Sequence, residues 1–178
     1  MAGITGYKLS FEEDVEWDKL FRDVKELDIL YHYGLSWLRN NKRRLNKAID
    51  RNVQIRIAVV DPSDDNSIAI LARRFNQPAA QIKAGIIETR EYLEVLQKDG
   101  AKIRMWYLPA IPLYCIYRFD NQIVLSLYSH FPGREPGKGA VLLLENEGLL
   151  SKFVLEEFEK MVRPGGLANA VPQFAQGS

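Results

Sequence analysis

The chain has 178 residues, 47% hydrophobic and 26% charged, with a formal net charge of +1. That size lets one domain bury roughly 70% of the surface its unfolded chain exposes, and no run approaches 18 apolar residues, which excludes a membrane span. The near-neutral charge gives no global case for nucleic acid or anionic lipid, while a single cysteine and the lack of a basic-then-apolar leader lead to the expectation of a reducing, cytoplasmic setting.

Residues 7–11 read as extended. The acidic stretch Glu12, Glu13 and Asp14 is expected to open a helix through Trp17, Leu20, Phe21 and Val24, because carboxylates in a first turn suit the helix dipole. "ELDILYHY" reads as a buried strand carrying Leu27, Ile29 and Leu30, and residues 34–49 as a helix with Leu38, Leu45 and Ile49 on one face. "NVQIRIAVVDP" is the clearest strand, alternating through Val53, Ile55 and Ile57 until Pro62 halts it. Helices follow near residues 67–75 and 78–98, the longer one with Pro78 in its first turn and Ile82, Ile86, Leu93 and Leu96 at helical spacing.

"DGAKIRMWYL" is a turn into a further strand, and "LYCIYRF" and "QIVLSLYS" are two strands joined at Asp120 and Asn121, a pair that suits a hairpin. "AVLLLE" is the last strand. A final helix over residues 149–162 puts Leu150, Val154, Phe158 and Met161 on one face, and "RPGG" ends it. The order predicts an α/β sandwich with a mixed sheet flanked by helices, formed by residues 1–164 as a single domain, with residues 165–178 as a tail or linker.

In that order, "WDKLFRDVKELDILYHYG", "AIDRNVQIRIAVVDP", the hairpin "LPAIPLYCIYRFDNQIVLSLYSHF" and "LLSKFVLEEFEKMV" resemble one half of the phospholipase D superfamily, over residues 15–162. The resemblance implies a hairpin carrying a histidine nucleophile, a lysine two residues on, an aspartate five further, and a Gly-Ser-x-Asn set beyond. With Asp120 matched to that aspartate, the histidine position falls on Leu113 and the lysine position on Cys115. The Gly-Ser-x-Asn positions fall on Leu127, Tyr128, Ser129 and His130. Losing such a nucleophile typically costs about a millionfold in turnover, so no catalytic residue is assigned.

A binding pocket is the expectation that remains. Arg118 and Asp120 share a face of one strand, and Tyr128 and His130 a face of the next, so the four are expected to converge on a phosphate or nucleotide. The alternative is a local Arg118–Asp120 ion pair beside two residues at the rim of the core. His32, in the turn after the first long strand, joins the ligand-binding set or serves as a cap or core residue. Asp61, Pro62 and Ser63 also end a strand, but in the pattern of an ordinary turn.

The densest basic run, "RNNKRRLNK", places Arg39, Lys42 or Arg43, and Lys47 on one side of a helix, a weaker candidate for a nucleic-acid contact against a plain solvated face. Trp37, Trp106, Tyr107 and Tyr114 are read as core. "FPGREPGKGA" lacks phosphate-loop spacing and reads as a loop at the pocket mouth. No metal-ligand spacing is present and no cofactor is expected. The best expectation is a catalytically degenerate phospholipase D-like module that senses a phosphate-containing ligand within a bacterial-type signalling protein. Single-motif members of the family form their site across a two-fold axis, so the resemblance implies a homodimer. An unusual phosphodiesterase or nuclease centred on His130, and a protein- or nucleic-acid-binding dimerisation domain, are the other readings.

Overall fold

The structure, a computed structural model, describes residues 3–11, 13–32, 34–128, 138–145 and 147–174, Lys138 by its backbone alone. Its centre is built from apolar runs. β2 (Glu26–Tyr31) and β3 (Gln54–Val60) are buried along most of their length, as strands covered on both faces must be. They pair in parallel with Ile29 opposite Ile57, and β3 pairs in parallel with β4 (Lys102–Leu108), Ile57 opposite Met105. Parallel neighbours need long crossovers. These are α2 (Leu35–Asp50) and the pair α3 (Asp65–Phe75) and α4 (Ala79–Lys98).

The later part of the sheet is antiparallel. β5 (Tyr114–Phe119) pairs with β2 and turns back into β6 (Gln122–Leu127), which pairs with β7 (Lys138–Glu145). Asp120 takes a left-handed φ of 50° at the hairpin turn, a conformation its short polar side chain tolerates. β1 (Ile4–Ser10) closes one edge against β7, and β8 (Asn169–Ala170) closes the other against β4, giving the order β1-β7-β6-β5-β2-β3-β4-β8. The α/β sandwich with a mixed sheet is therefore as the sequence implied.

Each face of the sheet carries its own core. On one, α1 (Trp17–Phe21), α2, α3 and α4 bring Trp17, Trp37, Leu45, Leu71 and Ile86 against Leu27, Ile29, Ile57 and Met105. On the other, α5 (Leu149–Val162) brings Val154 and Phe158 against Leu30, Ala58 and Ile116. Each fully buried apolar side chain stabilises by roughly 1.5–3 kcal/mol. No helix among the described residues is long and apolar enough to cross a membrane.

Two expectations need correcting. The acidic stretch does not open a long helix: α1 has only five residues, because Asp14 accepts from the backbone N–H groups of Ser10 at 2.9 Å and Leu9 at 3.3 Å and closes a turn instead. Nor does the segment after Pro164 trail away as a tail. Ala168, Val171 and Phe174 are buried, and the Val171 N–H donates to the Met105 carbonyl at 2.9 Å. Covering the β4 edge removes both their apolar surface and a row of unpaired strand groups from water.

Candidate functional site

The hairpin register decides which candidate side chains can meet. Arg118 faces Ile123 and Tyr114 faces Leu127, so Tyr128 lies five residues beyond Arg118 along the ladder, roughly 17 Å away. Arg118 and Asp120 stand at the amino ends of β2 and β3; Tyr128 and His32 stand at the carboxyl ends. The expected convergence of Arg118 and Asp120 with Tyr128 is therefore corrected. His130 lies outside the described residues.

At the amino ends, Arg118 is consumed by the fold. Its Nη1 donates to Asp28 at 2.7 Å, its Nη2 to Glu26 at 2.7 Å and its Nε to the Asp120 carbonyl at 2.8 Å. Arg56 binds the same Asp28 through two nitrogens at 2.7 and 2.8 Å and reaches Glu159 of α5 as well. Asp28 is 1% exposed, so these guanidinium groups provide what water would otherwise supply. The Asp120 carboxylate accepts from the backbone N–H groups of Lys25 and Glu26, the latter at 2.8 Å. Both side chains tie the hairpin to β2.

The carboxyl ends are different. His32 follows β2, is 2% exposed, and its ring stacks on Tyr128 with centroids 3.7 Å apart at 16°, while Phe75 meets it edge-on at 5.5 Å. Its Nε2 lies 3.1 Å from the Pro112 carbonyl. A carbonyl only accepts, so Nε2 carries the proton and donates, which leaves a lone pair on Nδ1. Burial, opposed by that hydrogen bond and assisted by the Arg74 charge, lowers the His32 pKa to about 3. Beneath the pair, burial pushes the Cys115 thiol up to about 11, in reach of the Tyr128, Ser126 and Tyr117 hydroxyls. The Tyr128 phenol is raised well above its ordinary value, again by burial first. Imidazole, thiol and phenol are thus all neutral at pH 7.

Gly34 shapes this corner. Its φ is 64°, and a methyl group there would fall 1.9 Å from the Tyr31 ring. The chain can therefore leave β2 past His32 and enter α2 only with glycine at that position.

Arg74 is the residue that sequence reading missed. It stands near the end of α3, one turn after the buried Leu71, with its guanidinium carbon 5.7 Å from the Tyr128 ring centroid. Among the described residues its buried Nη1 has no hydrogen-bond partner, and neither has the buried Nδ1 of His32. The only advance signal was spacing, since a residue three after a core leucine turns toward the sheet. Leu113, at the position that the sequence resemblance matches to a nucleophile, is 81% exposed, and Cys115, at the position matched to a lysine, is buried.

The remaining candidates resolve differently. Asp61 accepts from the Ser63 N–H at 2.8 Å and its hydroxyl at 2.6 Å, closing its own turn. Arg39, Lys42, Arg43 and Lys47 are exposed on α2 around a shallow hollow of about 510 Å³ that also includes Asn46 and Asp50. Arg39 pairs with Glu88 of α4, and the Lys42 ammonium sits 5.9 Å over Tyr92. Residues 131–137 of the Gly- and Pro-rich loop lie outside the described residues. Among the described residues, no three His, Cys, Asp or Glu side chains are grouped to hold a metal.

No family model matches the chain, and no curated protein matches it by sequence. Solved structures match it by fold. One is the phosphatidylserine synthase of Haemophilus influenzae Rd KW20, a phospholipase D superfamily member, with a TM-score of 0.63 at 14% identity over 97% of this chain and 40% of that one. Another is TrmBL2, an archaeal chromatin protein described as showing a novel mode of DNA binding. It has a TM-score of 0.55 at 13% identity over 93% of this chain and 54% of that one. The chain shares their fold. It spans about half the length of these neighbours or less.

Proposed function

We propose that this chain is a recognition module on a phospholipase D-like sandwich, one that binds a phosphate-bearing ligand such as a nucleotide at the carboxyl ends of β2 and β3. It works without the family's phosphohistidine chemistry. One observation carries this reading: Leu113 and Cys115 occupy the nucleophile and lysine positions, while His32, Tyr128 and Arg74 gather at the same end with two buried polar atoms unmet. An aliphatic side chain and a protonated thiol supply neither a nucleophile nor a phosphate clamp. Unmet buried groups at the carboxyl ends of parallel strands are what a ligand satisfies.

Binding would order the turns that follow β2 and α3 and so transmit occupancy to an attached partner, the behaviour of a regulatory domain. The exposed Leu113 and the half-exposed Leu127 flank the hairpin mouth and support its pairing with a second copy. A thermal-shift screen against nucleotides and phosphodiester headgroups, run beside a phosphodiesterase assay, tests the reading. A ligand at about 100 times its dissociation constant should add roughly 2.7 kcal/mol, several degrees for a chain of this size, without turnover. Turnover lost in Cys115→Ser would refute it.

The basic face of α2 favours a second reading. Arg43 and Lys47 are exposed beside Arg39, and TrmBL2, which shares this fold, is described as binding DNA. Binding of a short duplex that weakens steeply with salt, by roughly 0.9 in log–log slope per phosphate contact, would support it.

A further inference from the structure

We propose that His32 and Arg74 form a site for a phosphate monoester in its singly protonated state, a ligand that gives one hydrogen bond and accepts another. This rests on the recognition reading above and narrows it to one chemistry. The His32 proton is held on Nε2 by the Pro112 carbonyl at 3.1 Å, so Nδ1 is a buried lone pair that only a donor can satisfy. Arg74 has the opposite need. Its buried Nη1 can only donate, and it too lacks a partner among the described residues.

Both groups lie against one ring. The imidazole is 3.7 Å and the guanidinium carbon 5.7 Å from the Tyr128 centroid, which together bound their separation to roughly 9 Å. A tetrahedral oxyanion making two hydrogen bonds of about 2.8 Å spans roughly 8 Å. That span lies within the upper limit, and the proton then selects among anions. Sulfate, a carboxylate, a phosphodiester and the dianion of a phosphate monoester present acceptors alone, and each would set a lone pair against Nδ1. A monoester written R–O–PO2(OH)− places its hydroxyl on Nδ1 and an oxygen on Arg74.

The protein's own groups do not titrate in the useful range. Facing the imidazole among the described residues are Arg74 from α3, Tyr128 at the end of β6 and, behind its hydroxyl, Cys115 of β5. Burial pushes the thiol up to about 11 and the phenol well above its ordinary value, and the imidazole gains a proton only near 3. The second ionisation of the ligand, at about pH 6 for a phosphate monoester, is therefore the step that sets affinity.

The test is calorimetric titration of the full chain with phenyl phosphate, its methyl diester and sulfate at pH 5.5 and 7.5, with nitrogen-15 NMR of the His32 ring. Phenyl phosphate should bind roughly 25-fold more tightly at pH 5.5, following the protonated fraction around a pKa of about 6. The diester and sulfate should bind at least about tenfold more weakly at pH 5.5, and Arg74→Gln should lose about tenfold while keeping its melting temperature. The Nδ1 resonance should move away from the free lone-pair position on adding phenyl phosphate, a readout that needs no variant. Equal affinity for all three probes, or affinity flat with pH, overturns this inference and leaves the recognition reading standing. No heat and no NMR change with any probe overturns both.

Discussion

The two ends of the parallel strands handle polar groups in opposite ways. At the amino ends, Asp28, Arg56, Arg118, Glu26 and Glu159 bond one another across β2, β3, β5 and α5, with the buried Asp28 carboxylate held by both guanidinium groups. At the carboxyl ends, a neutral imidazole and a guanidinium each keep a buried atom without a partner among the described residues. A saturated cluster is an element of structure, whereas an unsaturated one is maintained at a cost of about 1–3 kcal/mol per group and suggests a use beyond stability. An arginine inside a fold is thus classified by its free donors, not by its charge.

That contrast can be broken most readily at the amino ends. Asp28→Ala leaves Arg56 and Arg118 half-buried without their shared carboxylate, and urea unfolding should show a loss of about 3–5 kcal/mol. A loss under about 1 kcal/mol would mean that the ion cluster is not structural. Gly34→Ala comes next. It forces a methyl group into the Tyr31 ring at a left-handed φ, and should cost about 2–4 kcal/mol in the same measurement.

The carboxyl ends should respond to pH. The folded His32 pKa lies near 3 against an ordinary 6.5, so the unfolded chain takes up the proton first as pH falls. Stability is complete above about pH 6.5 and declines toward pH 3 by about 1 kcal/mol per unit. The decline between about pH 6.5 and 5, before carboxylates titrate, isolates the effect. It should flatten in His32→Gln, and a slope unchanged there would place the titration elsewhere. The smallest effect is expected on α2. Arg43→Glu with Lys47→Glu should alter stability by under about 0.5 kcal/mol, and, if the helix meets DNA, should lower the salt slope by about one per residue.

The sheet was largely legible because Leu27, Ile29, Ile55 and Ile57 sit in runs that only strands covered on both faces explain, and Asp120-Asn121 marks its own turn. α1 was overread because Asp14 has two uses for its carboxylate, a first-turn charge or a turn closure, and composition cannot separate them. The segment beyond Pro164 was underread because three scattered apolar residues have no period, and their partner is the edge of β4. His32 and Tyr128 were named, but for a pocket that included Arg118. Arg118 shares the α5 face with Ile116 and its partner Ile123, whereas Tyr128 shares the opposite face with Val124 and Cys115, so both the face and the position along the ladder part them. Arg74 approaches from α3 and meets Tyr128 more than fifty residues away in sequence, a contact that no local pattern encodes.

The pairing of β1 with β7 sets a timetable for biosynthesis. Thr5 bonds to Leu143, 138 residues later in the chain. At translation rates of about 5–20 residues per second, β1 waits on the order of ten seconds before its partner exists. During that interval it is an unpaired strand bearing Ile4, Tyr7 and Leu9, apolar side chains that stay largely exposed even in the finished fold. Of the strands in this sheet β1 is made before the others and is among the last to find its place, and it is there that a nascent chain would most need a chaperone.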